Sequence, residues 1–528
     1  MIQKKILFAV IGLSAFSLLA ATRKAQDVPV DTVEKLVEAI TNGVSGDRIL
    51  LAPRTYDLTG TRMSTSGDSA RAHLHVKTRL TIAGTGSQAG DTVLKGAGNV
   101  DCGAGYPLKV MYISVAGTVI SNLTITGGYD TSGIFGGGVC YASSGGSLIV
   151  DCIVSNNYCS ASGGGVGGKY STDATVNLVS AERCHFIGNW AASCAGAMTC
   201  RGAYTKDCVF SNNWCETATG GAVMSGSHFG SRFYYNRCCA TKHGGGYGGG
   251  AVGRDYRGKA YPFHGPCVDC LFVGNCNTNS NTSGAAIYGG CTALTNCTFE
   301  ANHCVGGDGV VVGVPEFYRC KFINHDDVTA FVRYTDGTAV LDGCVFATNN
   351  LENSRFFYST VNVRNSLFVH NTLKFYATAG TFENCTFTGN TFPNSRYFLS
   401  SDCGAVNCVF AGNSPYEIPE SASYIPYMTN CLWTSQVKTN DTMTTRLAAK
   451  CSGTSRLVAD VKFKDPANGD YSPKGIRSPL YNAGYEDDAY LATVGATDCA
   501  GGERVRFDHI DIGAFELQEK QGLTILLR

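Results

Sequence analysis

A chain of 528 residues with 44% hydrophobic residues, 65 glycines and only 16% charged residues can bury a large core, yet it is poor in the charged residues that favour helices. Its formal net charge of +0 and its lack of any basic run exclude a global field that would draw it to nucleic acid or to an anionic membrane. Composition therefore points to an all-β chain with neither of those partners.

Residues 1–21 have the layout of a secretory signal peptide. Lys4 and Lys5 precede an apolar stretch from Ile6 to Leu19, and the small residues Ala20 and Ala21 follow. The stretch falls short of the roughly 20 unbroken apolar residues a membrane span needs, so no transmembrane segment is expected once the signal is removed. Thr22 stands where a lipoprotein signal would place cysteine, which argues against a lipid anchor.

Residues 27–60 read as a cap followed by first strands. Val33 to Ile40 (VEKLVEAI) has helical spacing and leads into the apolar strand of GDRILLAPRTYDLTG. A solenoid needs such a cover, because a bare first coil exposes both core and strand edge.

From 61 to 441 one phrase repeats: DCIVSNN at Asp151, RCHFIGN at Arg183, DCVFSNN at Asp207, DCLFVGN at Asp269, NCTFEAN at Asn296, GCVFATN at Gly343, NCTFTGN at Asn384 and NCVFAGN at Asn407. Its cysteine slot recurs at Cys152, Cys184, Cys208, Ser231, Cys270, Cys297, Cys320, Cys344, Ser366, Cys385, Cys408 and Cys431, mostly about 23 residues apart. In C-x-F the cysteine and the following apolar residue share one face of a strand, and a second short apolar run such as GGGV at Gly136 or GGAV at Gly220 completes each coil. Coils of this size predict a right-handed parallel β-helix, at about 4.8 Å per coil a rod roughly 50–60 Å long.

Twenty-five cysteines in an exported chain can form disulfides. The column itself reads as small apolar filler with free thiols. Better disulfide candidates are Cys159, Cys215, Cys238 and Cys304, seven residues after the marker, and the scattered Cys194, Cys200, Cys239, Cys267, Cys276 and Cys291. The repeated asparagine, from Asn157 to Asn413, reads as a ladder that satisfies turn backbone groups.

Three places carry candidate chemistry. The residue after each ladder asparagine forms a row that includes Tyr158, Trp190, Trp214 and Arg237; aromatics beside a cation suit sugar rings, which offer apolar CH faces and hydroxyls. An aromatic stack that only stiffens the turn is the competing reading. The longest interval, Ser231 to Cys270, holds an insertion with Arg254, Asp255, Tyr256, Arg257, Lys259, Tyr261 and His264, a wall of polar and aromatic groups or an ordinary solvated loop. His303 with His325, Asp326 and Asp327 forms an alternative acid cluster for glycoside hydrolysis or Ca²⁺. No cofactor is otherwise expected.

The helix followed by GDRILLAPRTYDL is similar to the start of secreted right-handed β-helix proteins of the pectate-lyase-like superfamily, and the F-x-x-N and G-G-A-[VIL] phrases resemble polymorphic outer membrane protein repeats. Within residues 442–528, GDYSPKGIRSPLYNAG (Gly469 to Gly484) and DIGAFE (Asp511 to Glu516) resemble the choice-of-anchor Q domain, although Asn482 stands where that family more often has aspartate. The resemblance implies an exported bacterial protein at the cell surface or outer membrane. The segment from about Pro466 to Glu516, with Gly513 and Phe515 in its seam, is expected to protect the open C-terminal end of the rod. Fold supplies no activity by itself, and the interior phrases carry almost no acids. The expected function is adhesion to a polysaccharide or host-surface glycan by a monomer without catalysis, with a polysaccharide lyase or glycoside hydrolase as the alternative.

Overall fold

The computed structural model describes residues 23–518 except 64–70, 102–105, 143–144, 169–178, 200–202, 218, 240–247, 255–263, 279–282, 305–308, 327, 335, 378, 394–398, 416, 418–424, 437–440 and 507; the expected signal peptide lies outside them. The chain is a right-handed parallel β-helix. Its strands pair coil to coil in a 17-stranded sheet, a 16-stranded sheet that holds the C-x-F strands, a 7-stranded sheet of two-residue strands and an 11-stranded sheet that holds the GGxV runs.

The repeated phrase specifies two corners with three strand residues between them. The residue before the cysteine slot has positive φ, as in Asp151, Asp207, Asn296 and Asn407, and so does the residue before the ladder asparagine, as in Asn156, Gly188, Asn212 and Gly274. Asn, Asp and Gly populate that left-handed region at least cost. Between the corners the central residue points inward, and Phe186, Phe210, Phe233, Phe272, Phe299, Phe322, Phe346, Phe368, Phe387 and Phe410 stack at 4.6–5.0 Å with rings within 16° of parallel. The column thiols are buried and donate to carbonyls of their own and the preceding coil, as Cys297 does to Thr295 and Cys267.

Inside the second corner each asparagine amide donates to the carboxamide oxygen one coil on and to a backbone carbonyl one coil back. Asn213 Nδ2 gives 3.0 Å to Asn236 Oδ1 and 2.9 Å to the Phe186 carbonyl. The ladder ends on the buried Glu417, whose carboxylate accepts from Asn413 N at 2.8 Å. The same carboxamide oxygens accept from the backbone N–H of the preceding coil's asparagine, as Asn236 Oδ1 does from Asn213 N at 3.0 Å, so the stack pairs its own buried corner groups.

The helix Val33–Asn42, capped by Thr32, buries Leu36, Ala39 and Ile40 against the first coils. At the other end strand pairing runs past the expected boundary at 441: Cys451–Ser452 and Arg456–Leu457 still extend the two long sheets. The helix Asp441–Lys450 directly precedes Cys451–Ser452 in the chain, and its Leu447 packs on the main core. The C-terminal segment therefore does not close the end of the rod. It runs back along the outside of the C-x-F sheet, where Val461, Leu480 and Ile512 pack on Val409, Ala411 and Leu432, and Tyr471, Phe463, Cys499 and Phe515 pack on Leu367 and Val369. Gly513 and Phe515 do lie in the seam, Gly513 N donating to Asn407 O at 2.8 Å. The DIGAFE motif folds inward around Arg504, which is 0% exposed, pairs with Glu516 at 3.1 Å and donates to the carbonyls of Gly513 and Asp511.

Because Phe299 lies inside an unbroken ring stack with no exposure, its loss removes transfer energy and leaves a cavity that the parallel strands cannot close. Phe299→Ala should destabilise the rod by about 3–5 kcal/mol, read as a lower denaturant midpoint; an unchanged midpoint would refute the stacked core.

Candidate functional site

The two-residue strands that follow the asparagine ladder carry the row expected from the sequence. Backbone register aligns Tyr129, Tyr158, Trp190, Trp214, Arg237, Cys276 and His303 on successive coils. The next residue in each strand, such as Cys159, Ala191, Cys215 or Cys238, is buried, so strand alternation turns the row outward. Ring centroids are 4.3 Å apart for Tyr129 and Tyr158, 4.4 Å for Tyr158 and Trp190, and 4.9 Å for Trp190 and Trp214. The spacing is that of the coil rise.

The rings are tilted by 35°, 54° and 55°, and at these distances each inner ring turns much of its face to a neighbour. Tyr158 and Trp190 are accordingly only half exposed. The stiffening and platform readings thus both describe part of the row: its lower rings brace one another, and its upper end is open. Trp214 is 38% exposed, and the exposed Arg237 follows it one coil on.

Three residues near this row escaped the sequence reading. Tyr129 belongs to the coil before the first C-x-F phrase, where Leu123 takes the cysteine slot; counting six residues from Leu123 finds it. Tyr235, 61% exposed, occupies the corner slot that Asn or Gly fills in neighbouring coils, with φ of 52°. Its ring lies over Gly274, where a Cβ would meet a ring carbon at 2.5 Å. Glu216 lies two residues beyond Trp214 and is half-buried on the same side. At the open end of the row the register sets Trp214 and Arg237 side by side on successive coils, with Glu216 two residues after Trp214 and Tyr235 two residues before Arg237 in the chain.

The row rests on a rigid base. Glycines of the GGxV runs pass so close to its backbone that a Cβ on Gly164 would meet the Trp190 carbonyl oxygen at 2.2 Å, one on Gly196 the Trp214 carbonyl oxygen at 2.4 Å, and one on Gly221 the Arg237 backbone at 2.6 Å. Those positions admit no side chain. Beneath the lower end, Lys109 and Asp130 form a fully buried ion pair at 3.1 Å.

Of the insertion, Asp255, Tyr256, Arg257, Lys259 and Tyr261 lie outside the described residues. Arg254 stacks at 5.3 Å on Tyr288, and its carbonyl accepts from Thr219; His264 directly precedes the strand Gly265–Val268 of the 17-stranded sheet.

The alternative acid cluster is divided by the wall of the rod. His325 fills a ladder position: its Nε2 faces Asn302 Nδ2 at 3.4 Å and its Nδ1 faces Asn349 Oδ1 at 3.1 Å, which assigns a neutral ring with the proton on Nδ1. Asp326, the next residue, is exposed outside, half-buried His303 belongs to the outer row, and Asp327 lies outside the described residues. No group of three or more His, Cys, Asp or Glu side chains suited to a metal ion occurs among the described residues.

No family model and no curated protein matches this chain. Among solved structures it is similar to a mannuronic acid specific polysaccharide family 6 lyase from human gut microbiota, with 13% identity and a TM-score of 0.34 over 82% of this chain and 92% of that one. It is likewise similar to a pectate lyase, with 10% identity and a TM-score of 0.22 over 94% and 97%, and to an alginate lyase from a Paenibacillus species, with 11% identity and 0.24 over 71% and 99%. The β-helix assignment rests on the register of the chain's own strands.

Burial pushes the imidazoles of His228 and His325 down to about 4. An unfolded histidine titrates near 6.5, so between those values the unfolded state binds more protons and stability falls as pH drops from about 7 to about 4. Each histidine contributes at most about 3 kcal/mol to that loss. His325→Asn, which restores the ladder residue, should flatten the acid limb of a stability profile by up to that amount; an unchanged slope would remove His325 from the ladder.

Proposed function

We propose that this chain is an exported, surface-associated β-helix that binds a polysaccharide without cleaving it, at the open end of its aromatic row. The observation that carries the reading is the register that sets exposed Trp214 and Arg237 side by side on successive coils, with Glu216 and Tyr235 two residues from them in the chain. Aromatic rings take the CH faces of a pyranose, while a guanidinium and a carboxylate take its hydroxyls. The exposed edges of Trp190, Tyr158 and Tyr129 continue the row along the rod axis at ring spacings of 4.3–4.9 Å. A stiff backbone under the row lowers the ordering cost of binding.

No helix among the described residues is long and apolar enough to cross a membrane. The proposal places the chain outside the cell through residues 1–21, and the C-terminal segment would serve surface association through the face it turns away from the rod.

Titration with a panel of soluble neutral and acidic polysaccharides tests the reading. Binding should weaken at least tenfold in Trp190→Ala plus Trp214→Ala, by the roughly 1–2 kcal/mol that lost ring contacts are worth, with the unfolding midpoint recorded alongside. Unchanged binding would sink the site. Release of unsaturated or reducing-end products by the wild type would replace adhesion with lyase or hydrolase activity.

A further inference from the structure

We propose that Cys267 and Cys291 are joined by a disulfide that staples two successive coils. Both cysteines lie on adjacent parallel strands of the 17-stranded sheet, Gly265–Val268 and Cys291–Thr295. The pairing of these strands is irregular: Gly265 stands opposite Cys291, whereas Cys267 stands opposite Leu294. The extra residue turns Cys291 inward beside Cys267, and the two sulfurs come within 2.9 Å. Unbonded heavy atoms rest at about 3.5–4.0 Å, so the two sulfurs are closer than an ordinary contact.

The behaviour of the other thiols separates this pair from the cysteine column. Cys270, Cys320, Cys344, Cys408 and Cys431 each direct Sγ at two backbone carbonyls, which holds successive column sulfurs in parallel orientation. Cys267 and Cys291 instead point at each other and are 0% and 4% exposed. The Cys267-x-x-Cys270 spacing offers a rival pairing, but the Cys270 sulfur is directed at the carbonyls of His228 and Val268, each at 3.3 Å.

Formation requires a disulfide-bearing oxidant, protein or small molecule. One cysteine, as thiolate, attacks the oxidant's S–S bond to give a mixed disulfide; the second thiolate then displaces the oxidant's sulfur. Two S–H bonds break and one Sγ–Sγ bond forms. Two electrons and two protons leave, and the oxidant departs as a dithiol. Because both sulfurs are buried in the finished rod, the reaction precedes or accompanies closure of these coils. The bond would fix the coil that follows the longest insertion at its first residues after the loop.

The full chain, directed to an oxidising periplasm by a known export signal and purified without reductant, tests this independently of its natural address and of any glycan. Free thiols are alkylated in denaturant, and the chain is cut before Asp269, which separates Cys267 from Cys270, and after Tyr288, which isolates the segment of Cys291. The expected product is a linked pair of peptides carrying unmodified Cys267 and Cys291, with Cys297 and Cys320 alkylated. Alkylation of both Cys267 and Cys291, or linkage of either to Cys270 or Cys297, overturns the assignment. Cys291→Ser gives a second reading that survives poor folding: the variant should expose one more alkylatable thiol than the wild type, whereas a free pair would give one fewer.

Discussion

The structure depends on coil-to-coil register. Each inward column places one residue per coil at the same position around the rod, so phenylalanine meets phenylalanine at 4.6–5.0 Å and asparagine meets asparagine through amide hydrogen bonds of about 3.0 Å. A slip of one residue would turn every phenylalanine outward and leave a ladder of buried amides without partners. The left-handed corners on either side of the three strand residues oppose such a slip, because Asn, Asp or Gly fills most of them at two fixed offsets. Once the interior is in register, every outer row is in register too. The aromatic row is therefore a by-product of core packing that the surface can use.

That dependence explains what was legible in the sequence. The phrase C-x-F appears in eight coils, with serine in the cysteine slot at Ser231 and Ser366 and Val154 or Trp433 in the phenylalanine slot of two more, and the solenoid, its two inward columns and the outward Tyr158–Trp190–Trp214 row follow from counting. His325 stands at the ladder offset by counting, while the two aspartates that follow it suggest chemistry. Its ring replaces a carboxamide by offering one acceptor and one donor on opposite edges. Tyr129 was lost because its coil has Leu123 and Gly128 in place of Cys and Asn. Tyr235 was passed over as a corner residue, where side-chain identity is least constrained by the core.

The lateral course of the C-terminal segment had a signal as well. The residues flanking the inward phenylalanine are Thr298 and Glu300 in an uncovered coil, and Lys321 and Ile323 where the cover begins. Farther along they are Val345 and Ala347, Leu367 and Val369, Thr386 and Thr388, and Val409 and Ala411, none of them charged. Loss of the charged outer face of a strand fits a second layer. Within that layer Asp498, Asp511 and Glu516 are all buried around the single guanidinium of Arg504. Burial pushes the Glu516 carboxyl up to about 9 and raises that of Asp511, as expected where three carboxyls share one cation. The motif that stands out most in the C-terminal sequence is thus an internal clasp, and its carboxylates are not presented to a partner.

The two attached layers divide the rod along its length. Contacts of the C-terminal segment begin at Arg319, which donates to Thr497, and extend to Leu432. The outer row of aromatics and cations runs from Tyr129 to His303 and ends before that cover begins. They also occupy different walls, one the outside of the C-x-F sheet and the other the sheet of two-residue strands. A bound glycan on the row and an attachment through the C-terminal segment would not compete for surface. Rigid stacking joins them, because every coil between Arg237 and Arg319 carries the same phenylalanine and asparagine columns without a break. Under the proposed function, an attachment through the C-terminal segment would hold Trp214 and Arg237 at a fixed distance from it along the rod.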